Sequence, residues 1–122
     1  MNGEDTCMIR GDGGRILRAV LDRICNKWTL LVVATLDQGT VRFTDLHRQI
    51  PGISQRMLTL TLRNLEADGL VTRTVHPEVP PRVEYALTPT GKSLIPPALA
   101  LASWAADHVP EIEATRAARE HG

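Results

Sequence analysis

A chain of 122 residues with 14 Lys or Arg against 14 Asp or Glu has room for one modest core and no net charge. That excludes a second catalytic domain and the strongly basic footprint of a non-specific nucleic-acid binder. The neutrality is uneven, because residues 42 to 92 hold seven basic against five acidic side chains and residues 93 to 122 hold two against four.

The opening MNGEDTCMIRGDGG is acidic where a secretory signal is positive, and no apolar run follows it, which predicts a cytoplasmic chain. No stretch approaches the ~18 apolar residues of a membrane span, and 94 to 106 is broken by Pro96, Pro97 and Ser103. Cys7 and Cys25 are too far apart for a metal-binding CxxC pair or a disulfide framework, so a reducing compartment is expected.

Residues 1 to 13 read as an N-terminal arm. Ile16, Leu17, Val20, Leu21 and Ile24 then recur at helical spacing, a first helix. Cys25, at its end beside Ile24, is expected to be a buried filler. Asn26 suits the N-cap of a second helix, KWTLLVVATLDQ, apolar on nearly every side and ended by Gly39, which places it at the centre of the core. Phe43, Leu46 and Ile50 mark a short amphipathic helix stopped by Pro51 and Gly52.

Ser54 caps the next helix. At about 100° per residue, Leu58, Thr61, Leu62 and Leu65 share its core side, while Arg56, Thr59, Leu60 and Arg63 share the other. Gly69 ends it, and VTRTV and RVEYAL follow as two strands around the Pro-rich HPEVPP, a hairpin. Thr88 and Pro89 are the N-cap and first residue of a further helix that Pro96 and Pro97 should interrupt. A mostly apolar helix continues from about 96 to 120, its tail after Pro110 expected to fray.

This order predicts a mostly α fold with a small β-hairpin: one winged helix-turn-helix domain over residues 1 to 122. A helix fits the major groove of DNA, where Arg pairs with guanine and Thr or an apolar side chain meets the thymine methyl. Ser54, Gln55, Arg56, Thr59, Leu60 and Arg63, with Arg42 before the first helix of the motif and Arg82 at the base of the wing, are the expected DNA contacts. Salt bridges from Arg82 to Glu78 or Glu84 compete with its role there. The helices carrying Ile16, Leu17 and Val20 and carrying Leu99, Leu101 and Trp104 have more apolar surface than so small a core uses. They are expected to pair with a second copy about a two-fold axis.

Other chemistry finds little support. His47, His76, His108 and His121 show no paired ligand spacing, so no metal site is expected. GDGG at 11 to 14 lacks the strand and spacing of a phosphate loop, and no nucleophile motif is present. Neither an enzyme nor a cofactor is expected.

KWT at 27 to 29, FTDL at 43 to 46, PGIS at 51 to 54, LEADGLVTR at 65 to 73 and PEVPPRVEYALTPTG at 77 to 91 together resemble the HxlR family of bacterial winged-helix transcription regulators, relatives of the MarR type, over about residues 7 to 105. The resemblance implies a homodimer on an inverted repeat of operator DNA. It also implies a cysteine near the N-terminus, where Cys7 stands, whose thiol in some relatives senses quinones, aldehydes or disulfide stress. Leu60 and Thr61 depart from the polar or basic residues many relatives carry, which bears on the sequence recognised. Two alternatives stay open: a regulator controlled by a non-covalent small ligand, and a winged-helix interaction module without DNA binding.

Overall fold

The computed structural model describes residues 9–121, the side chain of Asp12 excepted. After a short 3-10 turn, helix α1 spans Arg15–Ile24 and α2 spans Lys27–Leu36. Strand β1, Val41–Arg42, leads directly into α3, Phe43–Gln49, and α4 spans Gln55–Ala67. Strands β2, Val71–His76, and β3, Arg82–Leu87, form the hairpin, and α5, Pro89–Ser93, and α6, Ile95–His121, complete the chain.

The three expected caps are present. The Asn26 side chain accepts the Thr29 amide at 2.9 Å, Ser54 Oγ accepts the Met57 amide at 3.0 Å, and Thr88 Oγ1 accepts the Gly91 amide at 3.1 Å. Each satisfies a backbone donor that the first turn leaves open. Between α3 and α4 the chain reverses at Pro51 and Gly52, closed by the Ile53 amide on the Ile50 carbonyl, with Gly52 at φ +83°. Such a turn has proline's fixed φ at its second position and needs a left-handed residue at its third.

The end of α4 is equally defined. Gly69 takes φ +76°, its amide donates to the Glu66 carbonyl at 3.0 Å, and the Leu70 amide donates to the Leu65 carbonyl at 2.8 Å. Both bonds absorb carbonyls that the last turn would otherwise leave unpaired. Arg23 Nε donates to Asp68 at 2.9 Å and so fastens α1 to this end of α4. The hydrogen bond to Asp68, and then its charge, hold the Arg23 guanidinium above its ordinary pKa.

The core lies between α2, α3, α4 and the sheet. Val32, Val33 and Leu36 of α2 meet Leu46 of α3 and Leu58, Leu62 and Leu65 of α4, with Val71, Tyr85 and Leu87 supplied by the strands. Thr61 is buried on the same side of α4, as its angular position requires. Trp28 packs against this core from its edge.

Thr88 joins three elements. Its hydroxyl donates to the Gly69 carbonyl at 2.6 Å while accepting the Gly91 amide, and its own amide donates to the Leu70 carbonyl at 3.0 Å. The end of α4, the exit of the wing and the start of α5 therefore share one residue.

Two sequence expectations need correction. The sheet has three strands in the order β1-β3-β2, all antiparallel, with Val41 opposite Tyr85 and Arg42 opposite Glu84. A two-residue strand is too short to show alternation. Cys25 is exposed, because it occupies the C-cap of α1 beyond the last helical turn. The helix expected from about 96 to 120 is α6, which runs through Pro110. Proline removes one amide donor to the carbonyl four residues back, and here that carbonyl belongs to exposed Ala106, where water can satisfy it. Pro96 and Pro97 do mark an interruption: α5 stops at Ser93, and they sit in the first turn of α6, where proline is tolerated.

Candidate nucleic-acid interface

The outer face of α4 carries Gln55, Arg56, Thr59, Leu60 and Arg63 along one continuous shallow groove. Its inner face is locked into the core by Leu58, Leu62 and Leu65, so the outer side chains stand on a rigid support. Leu60 is 49% exposed, in agreement with its position opposite the core stripe. The Thr59 hydroxyl donates to the Gln55 carbonyl at 2.9 Å, which commits its proton to the helix. Ser54 accepts from the helix backbone through its oxygen and keeps its hydroxyl proton for another partner.

A second concavity opens between this helix and the sheet. Arg42 of β1, Arg63 of α4, Arg73 of β2 and Arg82 of β3 line a cleft of about 570 Å³, with Glu66 as its acidic member. Arg82 is largely engaged: Nη1 lies 3.3 Å from Glu78 and Nε lies 3.7 Å from Glu84, which His76 also meets. Its Nε is buried without a hydrogen bond. Arg82 thus stands at the wing base as expected, but held by the carboxylates that the sequence named as competitors.

Arg73 was not anticipated. It lies mid-strand in an unremarkable VTRTV, and only the pairing of Arg73 with Tyr85 carries it to the cleft. The local sequence holds no signal for this, since register is a property of two strands.

The expected dimer contacts lie elsewhere on the molecule. Ile16 is 81% exposed and Trp104 55%; Leu99 and Leu101 are exposed as well, while Leu17 and Val20 are half-buried. An apolar groove of about 400 Å³ between α2 and α6 is lined in part by Leu30, Leu31, Leu99 and Leu101. The Trp104 ring stacks on His108 with centroids 4.5 Å apart. Cys7 lies outside the described residues. Among the described residues no group of His, Cys, Asp or Glu is placed to hold a metal, and no helix is long and apolar enough to cross a membrane.

Two helices joined by a tight turn, the second polar on its outer face, with a hairpin beside them, define a winged helix-turn-helix protein. The model of the HxlR-like helix-turn-helix family matches residues 14–113, and the chain belongs to that family of transcriptional regulators. An uncharacterised helix-turn-helix regulator of Methanothermobacter thermautotrophicus is 53% identical over 88 residues, covering 72% of this chain and 67% of its own. Among solved structures, the candidate transcriptional regulator ytfH of Salmonella typhimurium superposes with a TM-score of 0.75 at 41% identity, covering 81% of this chain and 88% of that one. The redox regulator HypR in its reduced form gives 0.72 at 42% identity, with 80% and 97% covered.

Proposed function

We propose that the chain regulates transcription as a homodimer, with α4 of each subunit reading one half of an inverted repeat in operator DNA. The observation that carries this is the outer face of α4, where Arg56 and Arg63 flank Thr59 and Leu60 and no described residue pairs with either guanidinium. Arg can hydrogen-bond two acceptors of guanine in the major groove, and exposed methyl groups suit thymine. Arg42, Ser54, Gln55 and Arg82 complete the proposed contact set.

Fluorescence anisotropy on the protein's own upstream region tests the reading. Arg56→Ala and Arg63→Ala should each weaken binding by about 1 to 3 kcal/mol while leaving the fold intact. Wild-type affinity in both variants would remove α4 as the reading helix, and weak, sequence-blind binding by the wild type would favour an interaction module.

Assembly and regulation follow from the remaining surfaces. The exposed Ile16, Leu99, Leu101 and Trp104 fit burial against a second copy, which would set the two reading helices about 34 Å apart, one turn of DNA. The likeness to a redox regulator supports an oxidant or electrophile as effector, acting at Cys7. Sedimentation at micromolar concentration should give a dimer without oxidant. Diamide should lower operator affinity in the wild type and leave Cys7→Ser unaffected. A monomer would contradict the assembly; an equal response in Cys7→Ser would move the effector to a non-covalent ligand.

A further inference from the structure

The cleft between α4 and the sheet gathers more positive charge than the protein itself neutralises. Arg82 is answered by Glu78 and Glu84, yet the side chains of Arg42, Arg63 and Arg73 have neither an ion pair nor a hydrogen bond with any described residue. An isolated surface arginine without a partner is ordinary. Three that line one cleft from a helix and two different strands are less so, because like charges on one surface repel, most of all beside a partly apolar wall formed by Phe43, Val83 and Tyr85. Glu66 supplies a single carboxylate to the cleft.

We propose that this cleft is a phosphate site, in which Arg42 and Arg73 hold the oxygens of a phosphate group, with Arg63 at the border that the cleft shares with the outer face of α4. The guanidinium fork matches phosphate geometry and forms paired, charge-assisted hydrogen bonds with it. The opening of about 570 Å³ admits either a backbone phosphate of bound DNA or a small phosphorylated molecule. The first source deepens the DNA-binding reading and rests on it. The second does not need it, and would make the cleft a place where a free anion competes with the operator, since Arg63 and Thr59 line both the cleft and the outer face of α4.

Inorganic pyrophosphate is the probe for the cleft itself, titrated into full-length protein without DNA while the arginine side-chain resonances are followed by NMR. Saturable shifts at Arg42 and Arg73 are expected, weakened about tenfold or more in Arg73→Ala. They should be unchanged in Lys92→Ala, which removes the same charge from exposed α5 outside the cleft. The second arm uses operator duplexes carrying one uncharged methylphosphonate at a time. A backbone occupant predicts one position per half-site that weakens wild-type binding but not that of Arg73→Ala, together with a salt dependence shallower by about one unit in that variant. A free occupant predicts pyrophosphate that displaces operator, with no position dependent on Arg73. Failure to bind any operator would sink the DNA reading and leave the pyrophosphate arm to decide the cleft. The absence of both pyrophosphate shifts and an Arg73-dependent position overturns the proposal.

Discussion

Gly91→Ala is expected to be the most damaging small substitution in the molecule. A Cβ at this position would stand 2.1 Å from the Leu70 carbonyl oxygen and 3.1 Å from both the Leu70 carbonyl carbon and Leu87 Cδ2. The Leu87 methyl could turn away. The Leu70 oxygen cannot, because it is backbone and already accepts the Thr88 amide. Relief requires α5 to move as a body, which breaks the Thr88 cap and the junction of α4, β3 and α5. Overpacking against backbone belongs at the upper end of such effects, about 3 kcal/mol or more, which should lower Tm by on the order of 10 °C. A Tm within about 2 °C of wild type would show that the junction yields more easily than its hydrogen bonds suggest.

Leu62→Ala should cost about 2 to 5 kcal/mol, the range for removing a buried leucine from a core that collapses only partly. Leu62 is 1% exposed and packed among the other buried side chains of α2, α3 and α4. Leu60, two residues earlier on the same helix, provides the control. Leu60→Ala should change stability by no more than about 0.5 kcal/mol, because that side chain is half exposed and stands outside the core. Chemical denaturation separates the two. Similar losses in both variants would mean that Leu60 packs on another element and is unavailable to DNA.

That contrast between neighbouring leucines was legible in the sequence, since angular position on a helix is local information. The same holds for Asn26, Ser54 and Thr88, whose caps need only the residues that follow them, and for Gly69, whose left-handed turn ends α4. The readings that missed depend on distance or solvent. Val41–Arg42 is a strand only because β3 lies alongside it. Arg73 enters the cleft through its register with Tyr85, and Cys25 is exposed although its apolar neighbours suggested burial.

Thr88 carries a consequence for the duplex as well as for the protein. Its hydroxyl and amide bond the turn that ends α4 to the strand that leaves the wing, which ties α4 and the hairpin to one junction and resists their tilting independently. On the DNA-binding reading, a target whose grooves do not match this angle meets that resistance within the subunit. The misfit falls on the nucleic acid, which must bend or narrow to accept both prongs, at an energy that varies with its own stacking. Base pairs that no side chain touches would then contribute to selection through their stiffness.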